Sequence, residues 1–336
     1  MEICIIKLGA LGDVVRTLPV VNAIRKRYAG AKITWITKPE SLDIVKKSGL
    51  ADKIEVVPCE GVGSFDTLYN FDVDASALKL AKQINASEKK GFYADGEYPV
   101  AFNPGAEYYL NTIFDDELKR QNNKTYQEMM FEVAEINDDD HLFEIRLTEK
   151  EKEYGVDFVQ KNNLSGKIIG IHIGSSKRWP SKAWHRGRIV EFVALAEKNN
   201  YSVVLLGGPE EIKLMEEVKD EIIEKGLKIC SNNLDNTIME FMSLVYQCSA
   251  IVSADSLALH ISLALKKPTI GLFFCTSPNE IEGYGLLEKV IAERLYEFFP
   301  DKMDKYDEEL TRSISAEQVF EKLEEILSDK HNNNHK

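Results

Sequence analysis

The sequence holds no pair of cysteines spaced as CxxC, no run of 18 apolar residues and no excess of positive charge. Its five cysteines, Cys4, Cys59, Cys230, Cys248 and Cys275, are odd in number, far apart and mostly set in apolar stretches. That argues against a disulfide framework and against a zinc site, and for reduced thiols in a cytoplasmic protein. Without a long apolar run, no helix is expected to span a bilayer. The opening MEICIIKLGALGD is too short and too soon interrupted for a secretory signal. The net charge of −13 argues against a general nucleic-acid or anionic-membrane surface, though not against a local basic patch.

What is present is ordinary globular material. With 336 residues, 44% hydrophobic and 29% charged, the chain can build sizeable cores, and its length favours two domains. Short apolar strands alternate with helical patterns in both halves, which predicts α/β layers around parallel sheets. The first half reads as strands near 3–7, 32–37, 53–58, 67–71 and 89–93, with helices at 13–28, 41–48, 75–84 and 126–136. Pro19 is expected to kink or split the first helix. Residues 94–124 read as loops with one helical turn near 108–114.

A composition change follows. The acidic run Asp138-Asp139-Asp140-His141 reads as a solvated loop rather than a metal site, and the charged residues 148–154 as linker. The domain boundary falls between about 140 and 166. A second α/β run has strands near 168–173, 202–206, 228–230, 250–253 and 269–273, with helices at 188–198, 210–225, 237–247 and 257–266. Residues 274–307 are loop-rich, a helix at 316–328 closes the fold, and the polar tail at 331–336 should fray.

Parallel sheets bind ligands beyond the carboxyl ends of their strands, so strand-to-helix loops hold the candidate chemistry. Gly9-Ala10-Leu11-Gly12-Asp13 opens the first helix, and its glycines allow a tight turn. It is not GxGxxG, and no acid ends the second strand, which disfavours a nicotinamide enzyme. Asp13 is either a helix cap or a carboxylate available as a general base. Lys177 and Arg178, beside Trp179, are either surface charge or cations for a phosphate. In the turn Gly207-Gly208-Pro209, the following Glu210 and Glu211 either favour the helix dipole or accept from a ribose diol.

The stretch AIVSADSLALHISLALKKPTIGLF reads as strand, turn, buried helix, proline stop and strand. Asp255 and Ser256 stand at the helix start, whose free N–H groups and dipole suit an anion. Asp255 as a cap and His260 as a core histidine remain the plainer alternatives. Asp72-Val73-Asp74 has the DxD spacing of some sugar transferases, a weak metal signal.

Four segments together, KLGALGDVVRTLP, GSSKRWPSKAW, LLGGPEE and VSADSLALHISLAL, resemble the heptosyltransferase family, glycosyltransferase family nine. The resemblance covers most of the chain. It implies a GT-B fold, two Rossmann-like domains whose parallel sheets face a central cleft. Their ranges would be 1–150 for the acceptor-side domain and 151–312 for the nucleotide-sugar domain, with a last helix at 313–330 packing back on the first. It implies an inverting transfer of heptose from ADP-heptose to the inner core of lipopolysaccharide, with no cofactor and no required metal. Asp13 matches the family's general base and stands in the loop with Gly9 and Gly12. Lys177 matches a lysine on donor phosphate; Asp255, Ser256 and His260 match the phosphate-side turn and helix. The ribose glutamate falls at Glu210 or Glu211. Where many members have glycine, this chain has Leu257, which a left-handed backbone would strain. For the anionic, lipid-linked acceptor the candidate cations are Arg16, Lys38, Arg120 and Lys124. A cytoplasmic enzyme meeting the inner membrane peripherally would follow. A transferase using another nucleotide sugar, and a non-catalytic nucleotide-sugar-binding protein, are the alternatives.

Overall fold

The computed structural model describes residues 1–59, 61–137 and 143–333. The acidic run at 138–141 and the end of the tail lie outside the described residues. The chain divides into two compact units, residues 1–145 with 279–282, and residues 146–278 with 283–336.

In the first unit the elements run β1 (Glu2–Ile6), α1 (Leu11–Arg27), β2 (Lys32–Thr37), α2 (Leu42–Ser48), β3 (Lys53–Val56), β4 (Ser64–Asn70), α3 (Ala75–Gln83), β5 (Asn85–Asp95), β6 (Tyr98–Ala101), α4 (Glu107–Phe114), α5 (Asp116–Gln121) and α6 (Tyr126–Ala134). The sheet order is β3-β2-β1-β4-β5-β6. Only the β5–β6 pair is antiparallel. The central β1 is apolar because both its faces are covered: Ile3, Cys4, Ile5 and Ile6 are fully buried. Pro19 lies inside α1 and does not split it.

The second unit runs α7 (Glu149–Lys161), β7 (Ile168–His172), α8 (Arg186–Lys198), β8 (Ser202–Leu206), α9 (Ile212–Glu224), β9 (Cys230–Ser231), α10 (Ile238–Gln247), β10 (Ala250–Ala254), α11 (Leu257–Ala264), β11 (Thr269–Phe273), β12 (Leu287–Ile291), α12 (Leu295–Phe298), α13 (Glu308–Arg312) and α14 (Ala316–Asn333). Its sheet order is β12-β11-β10-β7-β8-β9, with every pair parallel. Each sheet therefore reverses its winding once, between β1 and β4 in the first unit and between β7 and β10 in the second. Loops diverging from such a reversal leave room for a ligand.

Several expectations change. Residues 148–154 are no linker: Thr148 and Glu151 form a reciprocal capping box that starts α7. The helix is charged because only one side is covered. On that side Gly155 donates its N–H to Ser243 Oγ at 2.9 Å, and a Cβ there would stand 2.4 Å from the Ser243 carbonyl oxygen. Strand β12 lay hidden in the loop-rich stretch because it is an edge strand of half-buried, mixed residues. Strand β5 is longer than expected because its first half is polar and exposed. The last helix, α14, packs within the second unit. Val319, Leu323, Ile326 and Leu327 join the core of the second unit, Phe320 meets Phe192 edge-on at 5.9 Å, and the Tyr201 hydroxyl donates to Glu324.

Candidate active site

In the first unit the loops after β1 and β4 meet at the sheet's reversal point. Asp72 is buried, and its carboxylate accepts the Leu8 N–H at 2.9 Å and the Asp74 N–H at 3.0 Å. Lys7 Nζ lies 3.6 Å from the same carboxylate and donates to the Phe71 carbonyl at 2.8 Å. Burial alone would lower the Lys7 pKa, but Asp72 and its other neighbours outweigh this and raise it. Asp74 caps α3 through the Ser76 N–H. The two carboxylates of the DxD motif are thus engaged in loop and cap, and no group of three or more potential metal ligands occurs among the described residues.

Asp13 is not a side-chain cap: the cap position of α1 is Ala10, and Asp13 sits in the first turn. A Cβ at Gly9 would stand 3.0 Å from Asp13 Oδ2 and 3.3 Å from Asp72 Oδ2, so both carboxylates would have to give by a few tenths of an ångström. Asp13 Oδ1 lies 2.8 Å from Arg16, and 34% of its side chain remains exposed. The Arg16 guanidinium lies 3.9 Å from the ring centre of Tyr126. That ring is held by a 3.0 Å hydrogen bond between its hydroxyl and Thr17 Oγ1. Burial would lower the Arg16 pKa, but Asp13 and the tyrosines raise it instead. Segment 279–282 adds Glu280, whose carbonyl accepts the Tyr126 N–H at 3.0 Å. The other candidate acceptor cations each have a carboxylate beside them: Lys38 with Asp74 at 3.7 Å, Arg120 with Glu117 at 3.1 Å, and Lys124 with Glu132 at 2.5 Å.

In the second unit the loops after β7 and β10 carry the corresponding groups. The cap position of α11 is Ser256, whose side chain makes no capping bond. Its hydroxyl instead lies 2.9 Å from Ser253 Oγ and 3.3 Å from His172 Nδ1. Burial lowers the His172 pKa to about 4, so the imidazole is neutral near pH 7. Asp255 is not the cap either: its Oδ2 lies 3.1 Å from Lys182 Nζ and its Oδ1 lies 3.6 Å from His260 Nε2. Leu257, the first residue of α11, is absent from the residues with left-handed backbone, so glycine is not required there. The helix ends at Ala264, two residues before the expected end, and Lys266 takes a left-handed conformation at φ 56°.

Lys177 is 75% exposed and lies 3.3 Å from Glu210. The two glutamates of the Gly-Pro turn therefore differ. Glu210 faces solvent beside Lys177, whereas Glu211 accepts the Gly208 N–H at 2.8 Å and lies against Gly174, where a Cβ would come within 2.5 Å of its side chain. Burial raises the Glu211 pKa. Arg178 stacks 4.7 Å from the ring centre of Trp179.

The residue that sequence reasoning passed over is Lys182. It stands in the same quoted segment as Lys177, with nothing in its spacing to distinguish it from a surface lysine. Its flanks, Trp179 and the buried Trp184, were the one available signal. His172 and Ser253 were likewise read as strand residues only.

The family model for glycosyltransferase family 9 (heptosyltransferase) matches residues 75–306. Among relatives, the chain is 24% identical over 308 residues to lipopolysaccharide core heptosyltransferase OpsX of Haemophilus influenzae, covering 87% of this chain and 84% of that one. It is 23% identical over 352 residues to lipopolysaccharide heptosyltransferase 1 of Campylobacter coli, covering 98% and 100%. A shorter match, 30% identical over 171 residues, spans 49% of this chain and 47% of lipooligosaccharide heptosyltransferase 2 of Haemophilus influenzae. Among solved structures, a family 9 glycosyl transferase from Veillonella parvula superposes with TM-score 0.77 at 18% identity, covering 98% of this chain and 97% of that one. E. coli ADP-heptose lps heptosyltransferase II superposes with TM-score 0.68 at 17% identity, covering 98% and 100%. These likenesses show a shared fold, the GT-B class, over nearly the whole chain. With more than half of its length matched by the family model, the chain belongs to glycosyltransferase family 9 and is a transferase.

Proposed function

We propose that this protein transfers a heptose from ADP-heptose to an acceptor sugar of the lipopolysaccharide inner core, with inversion at the anomeric carbon. The observation that carries the reading is Asp13: a carboxylate in the first turn of α1, partly exposed and backed by Arg16 at 2.8 Å. In this reading the acceptor hydroxyl gives its proton to Asp13 as its oxygen bonds to the anomeric carbon, and the bond from that carbon to the diphosphate breaks. The leaving ADP gains charge, which the uncapped start of α11 and Lys177 offset. In this reading Glu211, rather than Glu210, meets the ribose; what supports it is that the Glu211 carboxylate accepts the Gly208 N–H and lies against Gly174. Arg16, the one candidate acceptor cation adjoining Asp13, faces the anionic acceptor.

The relatives named above are heptosyltransferases of lipopolysaccharide or lipooligosaccharide, and one solved neighbour is titled E. coli heptosyltransferase WaaC with ADP. No helix among the described residues is long and apolar enough to cross a membrane, so a lipid-linked acceptor would be met from the bilayer surface. The test is a donor screen by mass spectrometry with a purified lipid-core acceptor. A mass gain of one heptose with ADP-heptose is expected. Transfer only from a uridine or guanosine diphosphate sugar would replace the donor assignment, and nucleotide-sugar binding without transfer to any core acceptor would make the protein a binder.

A further inference from the structure

Lys182 lies on the single turn Pro180–Lys182 that follows the Lys177 loop. Only 10% of its side chain is exposed, and Asp255, its partner at 3.1 Å, is 17% exposed. Its Nζ lies 5.4 Å from the ring centre of Trp179. Burying a lysine near a helix start is unfavourable on two counts: it is desolvated, and it faces the positive end of the dipole. A lysine stays there only beside negative charge. Asp255 supplies it.

The same pair bears on the donor. A buried carboxylate immediately before α11 would repel a diphosphate arriving at that helix start, and the repulsion is strong where water is excluded. Lys177 does not offset Asp255, because it is exposed and lies beside Glu210. Cys275, which feels both Lys182 and Asp255, has its pKa pushed up to about 11 by burial and so adds no charge at neutral pH. Lys182, at 3.1 Å, sets a positive charge against that of Asp255.

Resting on the ADP-sugar reading above, we propose that Lys182 is a positioning residue for the donor: its ion pair with Asp255 keeps the turn before α11 from repelling the diphosphate. It acts through Asp255 and need not touch the reacting atoms.

The test is a double-mutant cycle read by calorimetry on the full chain, with ADP as probe and adenosine as control. Lys182→Met should weaken ADP binding by roughly 30-fold or more, in the range expected when one partner of a buried pair is lost. Adenosine binding should be unchanged. Asp255→Asn, which leaves the Lys182 charge uncancelled, should bind ADP more tightly than the wild type, and Lys182→Met with Asp255→Asn should recover most of the loss. Equal loss in the single and double lysine variants would overturn the proposal, because Lys182 would then be a direct phosphate ligand. Should Lys182→Met not fold, Asp255→Asn alone decides: ADP binding weakened more than about tenfold would mean that the carboxylate itself is needed. Wild-type protein that binds no ADP would refute the donor reading, and the proposal with it. A wild type that binds ADP, with no change in either single variant, would refute only the role of Lys182.

Discussion

Asp13 and Arg16 form a 2.8 Å ion pair one turn apart on α1, and the guanidinium of that pair lies 3.9 Å from the ring centre of Tyr126. Two constraints thus meet on one arginine. Its charge pairs with the carboxylate, and its guanidinium rests by a ring whose hydroxyl is tied to Thr17. Replacing Arg16 with glutamine removes the charge and the stack. A charge-assisted contact of this kind contributes about 1.5–3 kcal/mol. Transfer by Arg16→Gln is therefore expected to slow by roughly 10- to 100-fold, measured as kcat/KM for the acceptor. In the proposed reading the donor groups lie on the second unit, so ADP affinity should be unchanged. Unaltered acceptor kinetics would show that Arg16 neither orients Asp13 nor meets the acceptor.

Gly155 gives a stability test in which two effects oppose one another. Glycine to alanine inside a helix ordinarily stabilises by about 1 kcal/mol. Here the added Cβ would stand 2.4 Å from the Ser243 carbonyl, so α7 must move away from α10 and the Gly155–Ser243 hydrogen bond is lost. Overpacking of this kind costs about 1–3 kcal/mol, and the lost bond adds to it. Gly155→Ala should lower the midpoint of urea unfolding. A raised midpoint would mean that the two helices are not held at this distance.

His172 predicts a pH dependence with a definite sign. Its folded pKa lies near 4, below the ordinary value of 6.5, through burial. Between those values the unfolded chain binds the proton and the folded one does not, so stability falls as pH drops from 6.5 towards 4. The full effect is at most about 3 kcal/mol. Carboxylates titrate in the same range, so the comparison must be differential. The stability gap between pH 7.5 and pH 5 should shrink in His172→Gln relative to the wild type. An equal gap in both proteins would contradict a neutral, buried imidazole.

Most of the α/β alternation was legible because buried parallel strands leave apolar runs; the spans of β2, β8 and β11 match the sequence reading residue for residue. What escaped was built from half-covered elements. Edge strand β12 and the polar half of β5 bury too little to leave a pattern, and α7 reads as charged linker until Gly155 is seen against α10. Within the candidate site, Asp13 and Asp255 were singled out because loops after parallel strands are where ligands bind. Their partners were not all found. Arg16 is three residues from Asp13 and could be paired with it along a helix. Lys182 is 73 residues from Asp255, and only the reversal of sheet winding between β7 and β10 brings their loops together.

The most direct test of the account is Asp13→Asn assayed beside the wild type, with ADP-heptose and a purified lipid-core acceptor for transfer and calorimetry for ADP binding. The exchange removes the proton-accepting charge while keeping nearly the same shape. Transfer is expected to fall by about 10²- to 10⁴-fold, the usual contribution of a general base, with ADP affinity retained. Near-normal turnover by Asp13→Asn would contradict the account, because the proton of the acceptor hydroxyl would then be leaving by another route.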